Sequence, residues 1–130
     1  MSDLERLARL LTGYEVRVHF APPPGNPTAR GFVRRAPTGF EVYIAPGLPA
    51  REAFRAYCHE VGHILADGPA FAVAPLPSGH GDAPTRPNPS LEARAEAVAA
   101  ALMRLVPPWA TTVEDMARAV LDKLTKRQCR

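Results

Sequence analysis

Cysteine is scarce in this 130-residue chain, with two residues in all. Cys58 falls inside a helical pattern and reads as a core residue, and Cys129 reads as a tail residue. Neither a disulfide framework nor a cysteine-based metal spacing is available to such a pair. No apolar run approaches the roughly 18 to 20 residues that span a bilayer. The first ten residues, MSDLERLARL, mix charges with leucines and do not place a basic stretch before an apolar one, so they do not read as a signal peptide. The expectation is a cytoplasmic protein with no membrane association. Net charge is +3, but the basic residues are scattered or gathered in the tail (Lys123, Lys126, Arg127, Arg130). They form no basic stripe interleaved with aromatics, which argues against nucleic acid as a partner. The length supports one hydrophobic core and not two, so residues 1–130 are read as a single domain.

Proline is abundant, at fifteen residues, and divides the chain into segments. Ser2 followed by Glu5 is a capping-box start, Leu4, Leu7, Ala8 and Leu11 recur at helical spacing, and Gly13 stands where a helix would stop. Segments 15–20, 31–34 and 39–44 alternate polar and apolar residues between Pro and Gly clusters. They are expected to form a small antiparallel sheet. Pro49 at a first-turn position opens a helix over 50–66. Segment 68–89 carries too much Pro and Gly for a regular element, and a connection of that length suggests a functional lid. Ser90 is a plausible N-cap for an Ala-rich helix from 91 to about 106, ended by Pro107 and Pro108, and Thr111 with Glu114 caps a last helix.

The chemistry lies in His59-Glu60-Val61-Gly62-His63, an HExxH pattern. At about 100° per residue the two histidines stand about 40° apart on adjacent turns, close enough to grip one metal ion. Glu60 is offset from both, so it is poorly placed as a ligand but can reach a metal-activated water as a general base. Phe54, Tyr57, Cys58, Val61, Ile64 and Leu65 form one apolar stripe, whereas His59 and His63 fall with Glu52, Ala56 and Glu60 on the other side. Gly62, which costs about 1 kcal/mol relative to Ala in mid-helix, points to a close approach by another element.

A catalytic zinc (Zn2+) site needs a third protein ligand and an open position. The candidates are Asp67, His80, Asp82, Glu92 and Glu96. Asp67 lies about 12 Å along the helix from His59, too far for one ion, and more readily ends the helix. His80 and Asp82 sit in the Pro/Gly segment, where rigid placement is difficult. Glu92 and Glu96 are four apart on one face of the Ala-rich helix, and small neighbours (Ala93, Ala97, Ala100) would let that helix come near. Spacing alone leaves both open.

Taken together, Tyr43-Ile44, the helix bearing HEVGHIL, and Arg94-Ala95-Glu96-Ala97-Val98 running to Pro107 resemble the ImmA/IrrE-type zinc metallopeptidases over roughly 40–107. The resemblance implies an α+β, zincin-like minimal core in which a small antiparallel β-sheet packs beside the HExxH helix and a second ligand-bearing helix. It implies zinc held by His59, His63 and Glu96, with Glu60 as the base. It also implies a protein or peptide substrate, a helix-turn-helix repressor being the kind the family cleaves. Val98, Ala100 and Arg104 stand where the family usually has Asn, often has Phe, and has an apolar pair. That departure motivates an alternative, a weakly active or inactive zinc-binding module that docks on a regulatory protein. Further expectations are a free edge on strand 40–44 for an extended substrate and oxyanion support from Tyr43, Tyr57 or His80.

Overall fold

A computed structural model describes residues 1–25, 28–67 and 89–128. The elements in order are α1 (Asp3–Thr12), β1 (Val16–Phe20), β2 (Gly31–Ala36), β3 (Gly39–Ile44), α2 (Ala50–Asp67), α3 (Pro89–Met103) and α4 (Val113–Gln128). The expected lid at 68–89, with His80 and Asp82, lies outside the described residues apart from Pro89.

Local signals set most boundaries. Ser2 accepts from the Glu5 amide and Glu5 from the Ser2 amide, closing the capping box, and Gly13 ends α1 in the left-handed conformation at φ 77°. At the start of α4 the cap is Thr112, whose hydroxyl accepts from the Asp115 amide at 3.0 Å. The expected Thr111–Glu114 pair is therefore one residue out of place, and Glu114 instead accepts from the Asp3 amide. Helix α3 begins two residues before 91, at Pro89, a residue suited to a first turn, and ends before 106. Pro107 disfavours helical geometry at Val106, so the chain tightens into bonds from the Leu105 amide to Leu102 O and from the Val106 amide to Met103 O. Lys123 Nζ then donates to Leu105 O at 2.8 Å.

The sheet is mixed, not antiparallel throughout. Its order is β1-β3-β2, with β1 parallel to β3 and β2 antiparallel to β3. The reason is the connection after Phe20, which carries β2 past the neighbouring position, whereas Pro37-Thr38 joins β2 to β3 as a tight hairpin closing on the Ala36–Gly39 pair. The last strand therefore inserts between the first two. Gly39 (φ 154°) sits so near Glu15 O that no side chain would fit, which brings the start of β1 against β3. Strand β3 is consequently central, and the free edge expected for 40–44 does not exist.

Phe40, Val42 and Ile44 alternate inward from β3 onto Phe54, Tyr57, Cys58, Val61 and Ile64 of α2, joined by Leu4 and Leu7 of α1 and Met116 and Val120 of α4 in one buried cluster. The helical stripe is as expected except at Leu65, which is 43% exposed in the last turn of α2, where the described residues supply no layer over it. No described helix is long and apolar enough to cross a membrane.

Candidate metal centre

Helices α2 and α3 run side by side because small residues meet between them. A Cβ on Gly62 would lie 2.8 Å from both Cα and O of Ala95, so only glycine allows this approach. Ala95 and Ala99 are fully buried at the seam, whereas Ala93 and Ala97, expected to serve there, are exposed.

This contact brings two charged rows together. Arg55, His59 and His63 occupy successive turns of α2, and Glu92 and Glu96 successive turns of α3. Arg55 donates to Glu96 Oε2 at 2.8 Å. His59 Nδ1 lies 2.7 Å from Glu96 Oε1, and His59 Nε2 lies 3.0 Å from Glu92 Oε2. His63 Nε2 is 3.1 Å from Glu92 Oε1 and 3.1 Å from His59 Nε2. The pairs ascend α2 as they descend α3, giving the alternating series Arg55, Glu96, His59, Glu92, His63.

Two ring nitrogens and a carboxylate converge at one end of this series. Ligand atoms of His59, His63 and Glu92 all lie within 4.8 Å of one another, a group able to hold a metal ion. With Nδ1 of His59 donating to Glu96, Nε2 faces the His63 ring nitrogen and the Glu92 carboxylate. Three such atoms at this separation are relieved by a cation placed among them. Imidazole nitrogen and carboxylate oxygen suit zinc, whose bonds of about 2.0–2.2 Å are compatible with that spacing. The site therefore fits the metal.

Glu96, the third ligand implied by the family resemblance, stands against the opposite nitrogen of His59 and against Arg55. Slight burial would raise its carboxyl, but the hydrogen bond from His59 and the neighbouring charges hold it below the ordinary carboxylate value. Glu92, the alternative left open by spacing, is the carboxylate that joins both histidines.

Glu60 is 8% exposed, lodged beneath β2 and not on an open helix face. A Cβ on Gly31 would meet Glu60 Oε2 at 3.0 Å, so the glycine makes room for the carboxyl under the strand. Burial, with the Glu92 charge adding to it, pushes the Glu60 carboxyl up to about 8. Arg30, Gly31, Glu52, Arg55, His59, Glu60 and Glu96 line a cleft of about 260 Å³. The base candidate and the first histidine thus share one opening.

Two of the candidate oxyanion donors lie elsewhere. The Tyr57 hydroxyl is buried and donates to Leu4 O at 2.6 Å. Tyr43 is on the sheet face opposite α2, stacked on His19 and receiving a hydrogen bond from Arg34. His80 is outside the described residues. Asp67 ends α2, as expected. Cys58 is fully buried, with its thiol held protonated by burial. Arg55 was not singled out from the sequence, although it stands one turn before His59 and so on the row facing α3. No family model, curated protein or solved structure matches this chain.

Proposed function

We propose that the chain is a zinc-dependent metallopeptidase of the ImmA/IrrE type, with His59, His63 and Glu92 as metal ligands, Glu96 as the carboxylate that orients His59, and Glu60 as the general base. The convergence of the two histidines and Glu92 beside a buried, reachable Glu60 carries this reading. Glu92 takes the ligand role because its carboxylate contacts both histidines, whereas Glu96 contacts the far nitrogen of one. Carboxylate–imidazole pairs of the latter kind fix the tautomer and orientation of metal-binding histidines.

Zinc bound there would polarise a scissile carbonyl and lower the pKa of the attacking water. The chain's own residues do the rest. Glu60 accepts a proton from the water as the new C–O bond forms, and returns it to the departing amine as the C–N bond breaks. Burial raises this carboxyl and so favours return of the proton to the amine, while the carboxylate form needed to accept it would be favoured by the positive charge of a metal held at His59 and His63. The outer edge of β2 offers a track for the substrate. Arg30 O accepts from the Ala45 amide, which sets the hydrogen-bonding phase of the β2–β3 ladder and turns the amide and carbonyl of Gly31 and Val33 away from β3. No described strand covers that edge. An extended peptide paired there would pass over Glu60. A helix-turn-helix repressor as the natural substrate, and a cytoplasmic setting, rest on the resemblance.

Zinc-loaded protein incubated with a mixture of unstructured peptides is expected to generate new termini, to stop doing so when chelated, and to resume when zinc is restored. Absence of cleavage by protein carrying one zinc per chain would contradict the enzyme reading and favour the docking module.

A further inference from the structure

We propose that Arg55 is a positioning residue of the metal centre, acting through Glu96 on His59; this rests on the reading of the site as a metal centre. The two oxygens of Glu96 are used separately, Oε2 by the Arg55 guanidinium at 2.8 Å and Oε1 by His59 Nδ1 at 2.7 Å. One donor alone would leave a long side chain free to turn about its torsions. Two donors one helical turn apart on α2 hold the carboxylate in one orientation. That orientation holds a proton of His59 on Nδ1 and leaves Nε2, which faces Glu92 and His63, as the nitrogen that would meet a metal.

Stability is a poor explanation for this pair. Both side chains are half exposed, 50% for Arg55 and 51% for Glu96, and ion pairs so open to water add little to folding. Its position is more telling, since Arg55 ends the alternating series and is the one member that stays cationic at every working pH. Glu52 and Arg30 share the cleft but pair with each other at 4.0 Å, the limit of an ion pair, leaving Arg55 as the guanidinium bound to Glu96.

The test measures zinc affinity by chelator competition, together with the Nδ1–H proton of His59 by ¹H–¹⁵N NMR of zinc-free protein. Arg55→Ala is expected to weaken zinc binding about tenfold, the lower end for loss of an outer partner, and to shift the downfield Nδ1–H resonance of His59 upfield and speed its exchange with water, as the hydrogen bond to Glu96 loosens. Arg55→Lys is expected to recover most of both, because an ammonium can still engage Oε2. Glu96→Gln combined with Arg55→Ala is expected to be no weaker than Glu96→Gln alone, since Arg55 acts only through that carboxylate. Urea midpoints are expected to stay within experimental scatter. Wild-type affinity and an unchanged Nδ1–H resonance in Arg55→Ala, or additive losses in the double variant, would overturn the proposal. The Nδ1–H measurement needs no metal and decides the role of Arg55 even if the wild type binds no zinc, a result that would count against the metal-centre reading itself.

Discussion

Glu60→Gln is expected to retain the fold and its zinc, and to lose peptide hydrolysis by about 10²–10⁴-fold, the usual contribution of a positioned general base. Retention follows from where Glu60 sits. Its carboxyl is not in the group formed by His59, His63 and Glu92, and glutamine has the same shape beneath Gly31. Loss follows from chemistry, because an amide has almost no basicity and cannot take a proton from water. Burial already disfavours the charged carboxylate, so a neutral isostere is no harder to bury. Turnover at fixed zinc content measures the effect. Hydrolysis by Glu60→Gln at the wild-type rate would remove Glu60 from the mechanism.

Gly62→Val is expected to cost about 3 kcal/mol, from overpacking at a site that cannot relax cheaply. The atoms that a new Cβ would strike, Cα and O of Ala95, belong to a helix backbone and not to the flexible end of a side chain. Relief therefore requires α2 and α3 to separate along the seam that sets the positions of Glu92 and Glu96. A domain of this size has only about 5–15 kcal/mol of stability in total, so the change should be plain in a urea midpoint. Zinc affinity should fall with it. Gly62→Ala is a milder form, in which a helix-propensity gain of about 1 kcal/mol opposes the clash. If Gly62→Val unfolds at the same urea concentration as the wild type, the close approach of the two helices is not as described.

The parts of this structure that could be read from the sequence are those fixed within a few residues. The capping box of Ser2 and Glu5, the stop at Gly13, and the inward parity of Phe40, Val42 and Ile44 depend on local geometry, and each is found. The same holds for the stripe on α2 as far as Ile64 and for the pairing of His59 with His63. What depends on distant partners was not legible. Strand direction turned on how the chain after Phe20 travels, and alternation says only which face a residue takes, not which neighbour it meets. Sequence spacing placed Glu92 and Glu96 on one face of α3, but which histidine nitrogen each of them meets depends on the register of α3 against α2. Gly62 against Ala95 sets that register. Gly62 announced a close approach without naming its partner. Likewise, burial of Glu60 depended on β2 passing over it, and nothing in HEVGH reveals which strand does so.

Zinc titration of the wild type, Glu92→Gln and Glu96→Gln against a competing chelator tests the metal centre most directly. The wild type is expected to bind one zinc per chain. On the proposed assignment, Glu92→Gln removes a ligand and is expected to weaken binding by about a hundredfold or more, whereas Glu96→Gln removes an outer partner and is expected to weaken it about tenfold. Wild-type protein that takes up no zinc, or a Glu92→Gln variant that binds as tightly as wild type while Glu96→Gln loses the metal, would contradict the centre formed by His59, His63 and Glu92.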